Sequence, residues 1–202
     1  SLKGVNVYNI SPDASHAWHT YSNMSTPPTI DLVRLPAHAS VRTVVTNEKL
    51  KARLAALQVG KTEFVKVPID SGIVLNGYIM KPADFDPAKK YPILFQVYGG
   101  PGSQTVVDSW QGAQYLWHTM LTQQGYLIAS VDNRGTGARG KAWRDVIYGR
   151  LGVVETKDQA AAAKVIGRWN YVDSTRIGIW GWCYGGLMAL NAVCQHPEAY
   201  PT

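Results

Sequence analysis

A chain of 202 residues with 46% apolar and 17% charged side chains has the make-up of a folded globular protein and excludes disorder, collagen and coiled coil. Twenty basic against fourteen acidic residues leave a formal +6, but the charges are scattered, so no basic stripe marks a nucleic-acid partner. No run approaches the ~18 to 20 apolar residues of a membrane span, and Ser1-Leu2-Lys3-Gly4 opens with neither Met nor a signal peptide's apolar stretch, so the chain is expected to be a piece of something longer.

Residues 5–10, 16–21, 30–35 and 41–45 read as short extended runs broken by Ser11-Pro12-Asp13, by 23–28 and by Pro36-Ala37-His38-Ala39. Strands of that length at roughly ten-residue spacing predict an antiparallel meander, about one blade of a β-propeller. Alone, such a meander lacks neighbours to cover its apolar residues. Asn47 then stands where it can cap a linker helix over 48–57, with Leu50, Leu54 and Leu57 at helical spacing.

After Gly60 the pattern changes. Residues 64–68 and 74–80 predict a hairpin across Asp70-Ser71-Gly72, followed by strand and helix in alternation: 93–98 then 113–124, 127–131 then 156–169, 177–180 then 184–195. This order predicts an α/β fold, a mostly parallel sheet with helices on both faces. Ligands on such sheets bind at the carboxyl ends of the strands, which singles out the loops after Tyr98, Val131 and Trp180.

The last of these loops, Gly181-Trp182-Cys183-Tyr184-Gly185-Gly186, has the spacing of a nucleophile elbow between an apolar strand and a helix. A strained turn needs glycines around its central residue, and the turn sets that residue at a helix N-terminus, where the dipole favours developing negative charge. The usual Ser is replaced by Cys183. Either the thiol is itself the nucleophile, or it stands in for a hydroxyl in a site built for oxygen. Cys194, beside Leu190 and Val193, is expected to pack in the interior. About 16 Å of helical rise separates the two cysteines, too far for a bridge.

Tyr98-Gly99-Gly100-Pro101-Gly102-Ser103, Asp132-Asn133-Arg134-Gly135-Thr136-Gly137 and the Cys183 loop, in that order, resemble the prolyl oligopeptidase family of serine peptidases, its dipeptidyl peptidase IV-like branch above all. Phe85-Asp86-Pro87-Ala88-Lys89-Lys90-Tyr91-Pro92 and Arg150-Leu151-Gly152 with Glu155 and Asp158 fit the same family. The resemblance implies the last blade of a β-propeller over 1–46, a linker helix over 47–60, and the N-terminal part of an α/β-hydrolase peptidase domain over 61–202. It implies acyl transfer from a peptide substrate, releasing N-terminal dipeptides with a Pro or Ala preference. Cys183 takes the nucleophile's position, the Tyr98 hydroxyl donates to the oxyanion, and Tyr184 supplies a second donor through its backbone N–H and a pocket wall through its ring. Arg134 and Asp132 are expected to brace the neighbouring loop. The resemblance also implies a periplasmic, secreted or cell-surface parent, homodimeric, and needing no cofactor.

An α/β-hydrolase orders its triad as nucleophile, acid, histidine. His196 follows Cys183, but a helix between them carries it roughly 20 Å away, so it is expected to end that helix ahead of Pro197. His16, His19, His38 and His118 precede the elbow, and none has metal-ligand spacing, so no metal site is expected. Residues 61–202 also fall short of the roughly 200 to 250 residues common for the fold. The fold is therefore expected to be incomplete and the chain inactive by itself, with the triad's Asp and His beyond Thr202. Two rival readings stay open: a small-ester or lactone hydrolase with a Cys nucleophile, similar to dienelactone hydrolase, and a catalytically inactive family member used for binding.

Overall fold

Strand and turn signals alternate along the chain, and the computed structural model, which describes residues 2–201, gathers them into two sheets. Contacts divide the chain into two compact units, residues 1–59 with 107–117 and residues 60–106 with 118–202.

In the first unit β1 (Val5–Ile10), β2 (His16–Asn23), β3 (Thr26–Arg34) and β4 (Ala39–Val45) form the expected antiparallel meander, each strand paired with the next. β3 begins earlier than its prolines suggest. The β2 ladder pairs Asn23 with Thr26 and Tyr21 with Thr29, so Pro27 and Pro28 fall where no pairing is made and their missing N–H groups cost nothing. Residues 107–117 join this unit through backbone donors: Met24 N–H gives a 2.8 Å bond to Asp108 Oδ1, and Trp110 N–H reaches Ser22 Oγ. Helix α1 (Glu48–Ala55) follows, with only Leu54 of its three expected leucines buried. Asn47 does not cap it. With φ 54° and ψ 32° it lies in the left-handed region, whereas a cap needs an extended backbone, and its Nδ2 donates instead to the Pro28 carbonyl at 2.7 Å.

The second unit holds β5 (Thr62–Pro68), β6 (Val74–Met80), β7 (Tyr91–Val97), β8 (Leu127–Asp132) and β9 (Val172–Gly181), in spatial order β5-β6-β8-β7-β9. The sheet is mixed: β7 pairs parallel with β8 and β9, while β6 pairs antiparallel with β5 and β8. The expected mostly parallel arrangement thus holds for strand direction but for only part of the pairing. A short connection between β5 and β6 permits only antiparallel neighbours, and β6 then takes the place beside β8. β9 starts five residues before the expected strand because Val172 already pairs with Tyr91. Pro92 then interrupts the β7 side, and an Asp173 turn, its carboxylate accepting from Thr175 N–H and Arg176 Nε, loops out before Ile177 resumes the ladder.

Helix α2 (Ala113–Gln123) precedes β8, α3 (Lys141–Asp145) and α4 (Val154–Gly167) precede β9, and α5 (Tyr184–Gln195) follows it. α3 has no counterpart among the sequence expectations, five residues being too few to show a helical period. One sheet face, with Leu75, Ile93, Phe95, Leu127, Ala129, Ile177 and Ile179, packs on Ala160, Ala162, Ala163 and Ile166 of α4 and on Ala192 of α5. Alanines let α4 approach closely, and burying each large aliphatic or aromatic side chain contributes about 1.5–3 kcal/mol. On the opposite face Trp180 meets His118, centroids 5.8 Å apart and rings at 72°. His118 is fully buried, and burial pushes its imidazole down to about 4, so it stays neutral.

α5 spans the expected residues, and His196 ends it as anticipated, ahead of Pro197. Its buried stripe is Gly185, Met188 and Ala192. Cys194 lies off that stripe and is exposed, together with Leu187, Leu190 and Val193. The expectation that Cys194 packs inside is therefore corrected: an apolar sequence setting does not say which side of a helix faces the sheet.

Candidate active site

Cys183, the residue before α5, sits at φ 55° and ψ −116°, a conformation that L-residues adopt only under constraint. Its neighbours supply the constraint. A Cβ added to Gly181 would lie 2.3 Å from the Gly185 carbonyl oxygen, and one added to Gly185 would lie 2.1 Å from that of Val97. Both glycines are therefore needed for the backbone to close against the end of β7. Gly185 N–H turns back to Trp182 O at 2.8 Å and Gly186 N–H to Cys183 O at 2.9 Å, so α5 begins directly beneath the exposed thiol.

Tyr98, the residue after β7, lies close enough to Cys183 for the two side chains to interact electrostatically. That interaction with Cys183, with a smaller contribution from burial, raises the Tyr98 hydroxyl above its ordinary value. Tyr98 is thereby kept protonated, as a hydrogen-bond donor must be. The Tyr98 and Tyr184 rings lie 6.3 Å apart at 42°. Gly100 makes room for both, since a Cβ there would stand 2.8 Å from the first ring and 3.3 Å from the second. The structure thus brings together Cys183, Tyr98 and Tyr184, the three site residues expected from the sequence. His196 is left at the far end of α5, 3.5 Å from Glu198.

The supporting polar groups come largely from the first turns of α4, where Glu155, Asp158 and Gln159 are all buried. Each reaches a different loop. Glu155 Oε1 accepts from the Tyr184 hydroxyl at 2.8 Å. Asp158 accepts the Arg134 backbone N–H at 2.9 Å and both Nε and Nη2 of its guanidinium, the shortest contact 2.6 Å. Gln159 Nε2 donates to Val131 O and to Asn133 Oδ1, and Asn133 Nδ2 in turn holds the Gly99 carbonyl, one residue past Tyr98. Asp132 accepts from Thr105 and Val106 N–H, at 2.8 and 3.2 Å, although burial outweighs those donors and raises its carboxyl. Asp132 and Arg134 therefore brace loops, as the sequence suggests. Asn133 and Gln159 were not foreseen. The signal for Gln159 is a polar stretch, 155–159, opening a helix that continues as four alanines, and Asn133 stands inside the Asp132–Gly137 motif, where nothing in the sequence assigns it a role.

Among the described residues no group of three or more His, Cys, Asp or Glu side chains could hold a metal ion, and no helix is long and apolar enough to cross a membrane.

A mixed sheet with a strained Cys turn between β9 and α5 defines an α/β-hydrolase-type unit. Residues 113–202 match the model of the prolyl oligopeptidase family, and the chain belongs to that family. Dipeptidyl peptidase 4 of Trichophyton equinum is 38% identical over 154 residues, 76% of this chain and 20% of that protein. A probable dipeptidyl peptidase 4 of Emericella nidulans is 36% identical over 181 residues, 89% of this chain and 23% of its own length. Among solved structures, Porphyromonas gingivalis dipeptidyl peptidase 4 superposes with a TM-score of 0.93 at 41% identity, covering 99% of this chain and 28% of that one. A putative dipeptidyl aminopeptidase IV from Bacteroides ovatus gives 0.85 at 31% identity, covering 98% and 28%. The chain thus spans about a fifth to a quarter of the curated relatives it matches.

Proposed function

We propose that this chain carries the nucleophile and oxyanion portion of a dipeptidyl-peptidase-type serine hydrolase. The observation that supports this most is the strained turn, closed by Gly181 and Gly185, that sets Cys183 at the start of α5. In this reading the side chain at 183 attacks the carbonyl of the second peptide bond, so that an acyl dipeptide forms on Cys183 as the C–N bond breaks and the nucleophile's proton passes to the departing amine. Water then releases the dipeptide. The Tyr98 hydroxyl and the Tyr184 backbone N–H donate to the oxygen as it becomes negative, and the Tyr184 ring walls the pocket for a Pro or Ala side chain. Such a donor contributes mainly in the transition state, about 3–4 kcal/mol. The acid and histidine are placed in the remainder of a protein of the relatives' length, and the 202 residues by themselves are read as inactive. The meander is read as one propeller blade, a role that suits the exposed Val7, Ile10, Val41 and Val44 on its strands.

The test is hydrolysis of a dipeptidyl substrate by the protein extended to its relatives' length, with Cys183 and with Cys183→Ser. Turnover by at least one form, reduced roughly 100- to 1000-fold by Tyr98→Phe, is expected. Higher turnover with Ser marks the thiol as a replacement, and higher turnover with Cys marks it as the working nucleophile. Inactivity of both forms would overturn the peptidase reading in favour of an inactive binding member, and turnover by the 202-residue chain would overturn the need for further residues.

A further inference from the structure

We propose that Glu155 is a positioning residue for the substrate pocket, holding the Tyr184 ring by its hydroxyl so that the pocket wall and the adjoining backbone N–H keep one geometry. This rests on the hydrolase reading above.

Two buried carboxylates on α4 differ in how they are paired. Asp158 is buried and neutralised by Arg134, a bidentate ion pair. Glu155, three residues earlier on α4, is fully buried too, yet no basic side chain pairs with it among the described residues. Its Oε2 is buried without a hydrogen-bond partner, and its Oε1 accepts one bond, from the Tyr184 hydroxyl at 2.8 Å. A carboxylate in an interior is costly unless a specific contact requires it. Here the contact falls on the residue immediately after Cys183.

Tyr184 has two free torsions between its backbone and its ring. Its hydroxyl is held at the far end by Glu155, which restrains both torsions. The ring in turn flanks Gly100 opposite Tyr98, so a Tyr184 that swings outward also removes the support beside the oxyanion donor. Hydrogen bonding from a buried acceptor to a pocket-wall tyrosine therefore acts on substrate fit more than on the chemical step, and on a small rigid side chain such as proline more than on alanine.

The experiment uses the extended protein with its active nucleophile and two substrates that differ only in Pro or Ala before the scissile bond. Glu155→Ala and Tyr184→Phe are each expected to raise KM for the Pro substrate roughly tenfold, the size of one hydrogen bond to a charged group, with a smaller change in kcat. The ratio of Pro to Ala kcat/KM should fall in both. The double variant should be no worse than either single, and Glu155→Gln, whose amide oxygen can still accept, should recover most of the loss. A Glu155→Ala protein with a lowered Tm but unchanged KM and Pro-to-Ala ratio would overturn the proposal, as would a double variant whose loss is the product of the two singles. If the extended protein cleaves no dipeptidyl substrate, the peptidase reading falls separately. The Tm values of the same four proteins then decide the Glu155–Tyr184 coupling, and additive Tm losses overturn it.

Discussion

The two sheets are built from strands of similar length and composition, but their apolar residues meet different surroundings. Val7, Ile10, Val41 and Val44 of the meander are 45–60% exposed, whereas Ile93, Phe95, Leu127 and Ile128 of the mixed sheet are at most 1% exposed. The mixed sheet has α4 and α5 across one face and His118 against the other, and β8 at its centre is buried at all six positions. The meander has one short helix and the 107–117 segment within its unit. An alternating strand therefore records that a residue can be covered; whether it is covered depends on elements distant in sequence.

Three perturbations bear on this contrast. The largest effect is expected inside the second unit, where Arg134→Ala leaves the Asp158 carboxylate buried and unpaired. A loss of about 3–5 kcal/mol is expected in denaturant unfolding, and a loss below about 1 kcal/mol would mean that this interior tolerates a lone charge. Second is acid sensitivity through His118. Unfolded histidine takes up a proton near its ordinary 6.5, but the buried ring does so only at about 4. The unfolded state thus binds more protons between those values, so stability falls as pH drops from 6.5 to 4, by about 3 kcal/mol in all. Replacing His118 with Gln should flatten that limb in unfolding measurements at pH 7, 5.5 and 4, and an unchanged acid limb would assign the sensitivity to other groups. The smallest effect belongs to the meander: Val44→Thr should change stability by less than about 0.5 kcal/mol. A loss comparable to that of a core valine would erase the difference between the sheets.

The same distinction explains what the sequence could and could not reveal. β1 and α5 have the expected limits, because alternation within six residues and a Gly-bounded apolar run are local signals. The strained turn at Cys183 was legible for the same reason: glycine spacing reports a backbone problem solved within five residues. By contrast, the place of β6 beside β8, the role of Asn47 and the exposure of Cys194 depend on partners far along the chain. The α4 bracket is the clearest case. Glu155, Asp158 and Gln159 were visible as polar residues before four alanines, but their partners Tyr184, Arg134 and Asn133 lie 24 to 29 positions away in sequence, and no period connects them.

The close approach of Gly181 and Gly185 to Val97 fixes the turn at 183 from outside that residue, so Ser, Cys or Ala, none of them branched at Cβ, would meet the same backbone there. Its dihedral angles are dictated from either side, so exchanging oxygen for sulfur at this point alters one atom and leaves the main chain where it was. The side chain at such a position can be exchanged by a single codon change, without any search for a new backbone. A lineage could move between hydroxyl, thiol and an unreactive methyl here while conserving every other contact, and the scaffold would preserve the way back.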